Sequence, residues 1–395
     1  MLVTRIVGNC PGCGAERSYG NVSVIGQELV RGCQRCDFRA SVYLPPIRKK
    51  VIYLDQFFFS HAFRGRDDRF VAAADRIKQL THEQLLVSPY SSVHEDETHQ
   101  WRGYGDKTRD DLMDFIKSTS RGVMFEPAYR IERAQVLKAF SAFLSGAPLQ
   151  VALKPSDAIR GDLEQWDSYF RIDVRTYIRD SELKRRLKTE AVRDLVTLFD
   201  QWTRSADTFE QHVAIEMRDA GRLYVQAYLE MAGRVARGDI MAIIDSPMSA
   251  TLVEGMLDIL PSGIQGPDRL QRCVDYFNST YFEQVPNERI SAHLFATLRE
   301  MVKRGAYSNR DEAKNRLSGI FDDIAHVSTY APYCDAFVMD TPMAELVRQP
   351  TVALERQYPI KVFSLRNWDE LLTWLDELEA GMTDEHRAAL TAIHP

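Results

Sequence analysis

The chain has 395 residues, 45% of them hydrophobic and 27% charged, with a net charge of −6. This is globular composition, long enough for one large core or two to three domains, and the overall sign does not by itself mark a nucleic-acid binder. No run approaches the ~18 apolar residues of a membrane helix, and Met1–Cys10 has no apolar stretch of signal-peptide length, so a soluble, cytoplasmic protein with no membrane partner is expected.

Charge is unevenly spread. Residues 1–50 hold eight Lys and Arg against three acids, a net of +5 that leaves −11 for the remainder. A basic module on an acidic body fits an arm that meets a polyanion and a body that keeps carboxylates for another purpose.

The basic module contains Cys10-Pro-Gly-Cys13, nineteen residues, then Cys33-Gln-Arg-Cys36. Each C-x2-C turn aims two sulfurs at one point, and two such turns complete a closed tetrahedron with no open coordination position. Disulfides or a redox pair are the alternatives. In a reducing compartment metal is favoured, so Cys10, Cys13, Cys33 and Cys36 are expected to hold a structural zinc. Val22, Val24 and Ile25 between Gly20 and Gly26 suit short strands. Residues 1–46 therefore resemble a zinc ribbon, whose core is too small to fold without the metal. Cys273 and Cys334 lack such spacing and read as buried apolar residues.

Pro45-Pro46 followed by Arg48-Lys49-Lys50 reads as a linker. Val51-Ile-Tyr-Leu-Asp55 is a buried strand ending in an acid, and Phe57-Phe-Phe59 reads as core. Residues 70–80 look helical, Leu85-Leu-Val-Ser88 is a second buried strand, and Ser91 or Ser92 caps a helix reaching about Trp101. Residues 105–315 are mostly helical by periodicity, as in 183–199, 209–236 and 289–304. Gly263 and Gly266-Pro-Asp268 mark a loop. A helix near 311–329 follows, then a strand Ala336–Met339, a helix opened by Thr341-Pro342, a strand Ile360–Phe363, and an amphipathic helix carrying Trp368, Leu371, Leu372, Leu375 and Leu378. Apolar strands alternating with helices at both ends predict an α/β fold with a parallel sheet. The expected divisions are 1–46, 50–130, 131–310 as a helical insertion, and 311–395.

Acids cluster at element ends: Asp55 after the first strand, Glu95 and Glu97 in the helix after the second, Asp322 and Asp323 in the helix before the third, and Asp335 and Asp340 on either side of the third. Ligands of open parallel sheets bind beyond the strands' carboxyl ends. Carboxylates gathered there make a hard-oxygen site for Mg²⁺ or Mn²⁺. His94-Glu95-Asp-Glu-Thr-His99 has its histidines five apart, so they do not share the face that a zinc peptidase motif needs. His94 shares a face with Glu97, where a surface or satisfied histidine is the favoured reading over support of the acids; His326 shares one with Asp322 and Asp323, where packing is an equal reading. No phosphate-cradling glycine motif is present.

The hydrophobic-Tyr-Leu-Asp55 strand end resembles the opening of PIN-like nucleases. Asp323-Ile-Ala-His326, with Tyr330-Ala-Pro-Tyr-Cys-Asp335-Ala-Phe-Val-Met-Asp340 and the Lys361–Phe363 strand, resembles their closing segment. The resemblance covers about 50–100 and 310–380 and says nothing of the long helical region between. Met339 departs from it, standing where a Thr or Ser often precedes the last acid. The resemblance implies a parallel-sheet PIN-like core. It implies Asp55, Glu97, Asp323 and Asp340 as Mg²⁺ or Mn²⁺ ligands, with Asp335 assisting catalysis. It further implies a metal-dependent endonuclease hydrolysing phosphodiester bonds, RNA ahead of DNA. A catalytically degenerate nucleic-acid-binding or protein-interaction module on the same fold is the alternative. The helical insertion leaves room for a homo-oligomer surface or a regulatory protein partner.

Overall fold

The computed structural model describes residues 2–149, 153–161, 163–166, 202–245, 250–306 and 319–394. The helix expected over 183–199, and most of the approach to the one expected over 311–329, lie outside the described residues.

The first unit is an antiparallel sheet of β1 (Arg5–Gly8), β2 (Tyr19–Ile25), β3 (Glu28–Cys33) and β4 (Arg39–Tyr43), in that spatial order. Ile25 pairs with Glu28 across a two-residue turn in which Gly26 takes φ 61°, a conformation that glycine adopts without steric cost. Gly20 is fixed by a close approach, since a Cβ there would lie 1.8 Å from the Arg5 carbonyl oxygen.

The Pro45–Lys50 segment is not a solvated linker. Leu44 and Ile47 are buried, and with Val24 and Leu29 they pack on Ala389 and Ile393 of the C-terminal helix and on Trp166. The Trp166 indole N–H donates to the Pro45 carbonyl at 2.8 Å. The sheet also caps that helix: Asn21 Nδ2 donates to the Ala392 and Ile393 carbonyls at 3.1 and 3.0 Å, and Arg31 Nη2 to Ala392 at 3.0 Å. Final-turn carbonyls lack intrahelical partners, and a cation beside them is favoured by the helix dipole.

The second sheet is parallel, in the order β10-β9-β5-β6, with β5 Lys50–Leu54, β6 Leu86–Val87, β9 Ala336–Val338 and β10 Lys361–Phe363. Val51, Ile52, Tyr53 and Leu54 are all fully buried, as expected of a strand covered on both faces. Alternation divides them. Ile52 and Leu54 face α1 (Gln56–Arg64), α2 (Asp68–His82), α4 (Arg109–Thr119) and α12 (Trp368–Ala380). Val51 and Tyr53 face α9 (Pro286–Lys303), α10 (Ile320–Tyr330) and α11 (Thr341–Arg348). Between these lie α3 (Ser92–Gln100), α5 (Ala128–Ser145), α6 (Phe209–Ala236), α7 (Ala250–Asp258) and α8 (Pro267–Phe277), and α13 (Asp384–Ile393) ends the chain. A two-stranded ribbon joins β7 (Met124–Phe125) to β8 (Ile159–Arg160).

The helical region is continuous with the sheet's core. On α5, Ile131 joins the sheet cluster while Val136 and Phe140 join a helical one. On α9, Ile290 and Leu294 face the sheet cluster and Ala292 faces the helices. No described helix is long and apolar enough to cross a membrane.

Candidate metal centres

The four cysteines of the first sheet converge. Their sulfurs all lie within 4.8 Å of one another, with Cys10 Sγ 3.7 Å from Cys36 Sγ and Cys13 Sγ 3.9 Å from Cys33 Sγ. A tetrahedron with Zn–S bonds of ~2.3 Å has sulfur–sulfur edges of roughly 3.8 Å, so the cluster could hold zinc. All six cysteines are free thiols, which sets the disulfide alternative aside. The Gly12 and Arg35 N–H groups donate to Cys10 and Cys33 sulfur at 3.4 and 3.2 Å, stabilising the thiolates a metal requires. Cys273 and Cys334 are buried away from this set.

The second centre lies at the carboxyl ends of β5 and β9. Because these strands are parallel neighbours, with Leu54 opposite Val338, the residues that follow them emerge on one edge. Asp55 and Asp340 each cap the helix that starts there. The Asp55 carboxylate accepts from Gln56 N–H at 2.7 Å, and Asp340 from Met343 N–H at 2.8 Å. Helix α3, started by the Ser91 cap, brings Glu97 to the same edge. Helix α10 brings His326, whose Nε2 is 3.2 Å from Glu97 Oε2 and 4.0 Å from Asp55 Oδ1. Ligand atoms of Asp55, Glu97 and His326 all lie within 4.8 Å of one another, so this buried triad could hold a metal.

Electrostatics extends the set. Burial, then the charges of Glu97 and Asp340, push the Asp55 carboxyl well above the usual range. Burial, then Asp55, Asp340 and Glu97, push Asp323 up to about 9. Burial raises Asp340, against the opposing Met343 N–H. Like charges so gathered, in a site that water enters poorly, favour a cation or a proton between them.

Asp335 is not part of this centre. It sits at the amino end of β9, where Oδ1 pairs with Lys50 Nζ at 2.7 Å and Oδ2 accepts from Val51 N–H at 2.9 Å. Five residues of strand rise carry it ~16 Å from Asp340. Its role is to latch the amino ends of β5 and β9, so the assisting role expected for it does not hold. Glu97 rather than Glu95 belongs to the triad. Met339 is buried in the sheet cluster, and the polar support of Asp340 comes from the Met343 backbone instead.

Among the supporting residues, Ser91 is legible in the sequence as a helix cap and His94 by the face it shares with Glu97, whereas the roles of Tyr53, Gln56 and Thr98 are not. The Tyr53 hydroxyl bonds His326 Nδ1 and lies 2.8 Å from Ser91 Oγ. His94 donates from Nε2 to the Leu54 carbonyl at 2.8 Å and accepts Ser91 N–H at Nδ1 at 3.0 Å. It is a satisfied core histidine, stacked on Tyr53 with centroids 5.0 Å apart, and burial holds its pKa well below the usual value. Gln56 Nε2 donates to Thr98 Oγ1 at 3.1 Å, tying the start of α1 to the last turn of α3. A tyrosine inside an apolar strand needs a partner for its hydroxyl, and Ser91-x-x-His94 has capping-box spacing; these were the available hints.

No family model, curated protein or solved structure matches this chain.

Proposed function

We propose that the protein is a metal-dependent nuclease of PIN-like plan that hydrolyses phosphodiester bonds, RNA ahead of DNA. The observation that carries this reading is the gathering of a buried Asp55 with the half-buried Glu97, Asp323 and Asp340 at one carboxyl edge of a parallel sheet, where Asp55, Asp323 and Asp340 are all shifted upward and Glu97 is among the charges that raise the first two. These four carboxylates would hold Mg²⁺ or Mn²⁺, which supplies a water of lowered pKa and neutralises charge on the departing oxygen. The chain's own contribution is preorganisation. The Gln56 and Met343 N–H groups fix two carboxylates, and α3 and α10 carry Glu97 and Asp323 on regular helix, so little rearrangement is needed when substrate arrives.

The ribbon's part is to grip the substrate. Arg5, Arg17, Arg35, Arg39 and Arg48 are exposed on or beside it, and such residues neutralise backbone phosphates without reading sequence.

The test is incubation of zinc-replete protein with labelled RNA and single- and double-stranded DNA, each with Mn²⁺, Mg²⁺ or EDTA. Metal-dependent cleavage that disappears in Asp55→Asn supports the reading. Failure of the metal-loaded protein to cut any of the three overturns it.

A further inference from the structure

The centre departs from an all-oxygen site in one respect. His326 is 1% exposed on its side chain, and its Nε2 lies among the carboxylates. We propose that His326 is a nitrogen ligand held in register by Tyr53, and that the centre therefore selects a transition-metal dication, Mn²⁺ or Co²⁺, over Mg²⁺. The proposal rests on the reading that this centre holds a divalent metal.

The tautomer follows from the chain of partners. A carbonyl only accepts, so the 2.8 Å contact from His94 Nε2 to Leu54 O puts the His94 proton on Nε2. His94 Nδ1 is then an acceptor, and it faces Ser91 N–H at 3.0 Å and Ser91 Oγ at 3.1 Å. If the Ser91 hydroxyl proton pointed elsewhere, its lone pairs would oppose that of Nδ1. It therefore points at His94, and Ser91 Oγ accepts from the Tyr53 hydroxyl at 2.8 Å. The Tyr53 oxygen is left to accept, and its partner is His326 Nδ1. With the proton on Nδ1, His326 turns its Nε2 lone pair toward Glu97 Oε2 at 3.2 Å and Asp55 Oδ1 at 4.0 Å, and acceptors facing acceptors there require a cation or a proton between them.

That arrangement is the one in which metal-binding histidines are oriented by an oxygen on the remote nitrogen. It is also rigid. Tyr53 is a fully buried residue of the central strand, and Ser91 is the helix cap of α3. An imidazole among carboxylates gains affinity along Mn²⁺, Fe²⁺, Co²⁺, whereas Mg²⁺ prefers oxygen and retained water. His326 is thus a ligand and Tyr53 a positioning residue.

The experiment uses the full chain with its ribbon zinc in place, zinc being silent in electron paramagnetic resonance. Mn²⁺ is titrated with and without competing Mg²⁺, and pulsed spectra are recorded for nitrogen coupling to bound Mn²⁺. The expected result is ¹⁴N coupling in the wild type and none in His326→Gln. In Tyr53→Phe, Mn²⁺ affinity should fall by about 10–100-fold while Mg²⁺ affinity changes little. Bound Mn²⁺ without ¹⁴N coupling in the wild type overturns the proposal and leaves the metal-dependent reading standing. Failure to bind either Mn²⁺ or Mg²⁺ overturns both, and the wild-type spectrum decides even if a variant folds poorly.

Discussion

Asp55→Asn should stabilise the metal-free protein while abolishing its response to metal. Asn keeps the helix cap, because it serves that position as well as Asp does, and the Gln56 N–H retains an oxygen to donate to. What is removed is charge. Ligand oxygens of Asp55 and Glu97 lie no more than 4.8 Å apart, where two unit charges at an effective dielectric of ~20 repel by roughly 3.5 kcal/mol. Protons shared within the cluster relieve part of this, so a net gain of about 1–3 kcal/mol is expected at neutral pH. The sign with pH follows. Asp55 and Asp323 have folded pKa values raised above their ordinary ones. Their stabilising effect is complete below pH ~4 and is lost as pH rises through the raised values. In EDTA the wild type should lose Tm between pH 5 and 9, and Asp55→Asn should lose less. Added Mn²⁺ at about 100 times Kd should stabilise the wild type by ~2.7 kcal/mol and leave the variant unmoved. The assay is thermal unfolding across pH with and without metal. A variant less stable than the wild type in EDTA, or equally stabilised by Mn²⁺, would refute the reasoning.

Three further outcomes are expected. Asp335→Ala should cost on the order of 1 kcal/mol, since its ion pair with Lys50 is half-exposed and the Val51 N–H bond is the larger loss. Mn²⁺ affinity should be untouched, and a loss of metal binding would return Asp335 to the centre. Cys10→Ser combined with Cys13→Ser should remove about one equivalent of zinc by elemental analysis and unfold the first sheet, because metal binding there is folding free energy; native protein without zinc would contradict this. Among the helices, Tyr224 hydroxyl bonds both Glu132 and Glu288, and burial, then Glu132, push Glu288 up to about 8. A raised value means stability falls as pH climbs from ~4.5 through 8, by at most roughly 1.4 kcal/mol per pH unit. Glu288→Gln should flatten that slope in denaturant titrations at several pH values; an unchanged slope would show that this pair does not set it.

Sequence spacing located both centres but not their boundaries. Cys10-x2-Cys13 and Cys33-x2-Cys36 were legible because ligand geometry fixes the spacing locally. Asp55 and Asp340 were legible because each ends an apolar run, and parallel pairing of β5 with β9 makes the two ends coincide. Asp335 misled for the same reason. An acid before a strand and one after it look alike in one dimension, yet the strand itself separates them. Helix α1 was not read because Phe57-Phe-Phe59 shows no helical period, although Phe58 and Phe59 are buried and Phe57 only partly so. His326 gave even odds between packing and chemistry, and the partner that decides its ring, Tyr53, lies 273 residues away in the chain. Helix α13 and its capping by Asn21 and Arg31 depend on contacts spanning nearly the whole chain, which no local pattern encodes.

What the carboxylate cluster at the β5–β9 edge is proposed to support is metal-dependent hydrolysis of nucleic acid. Its most direct measurement is the single-turnover cleavage rate of end-labelled single-stranded RNA by EDTA-treated, zinc-retaining protein after Mn²⁺ is restored, with Asp55→Asn in parallel. Cleavage should return with Mn²⁺ in the wild type and stay at background in the variant. Equal rates in the two proteins, or cleavage that persists without added metal, would contradict it.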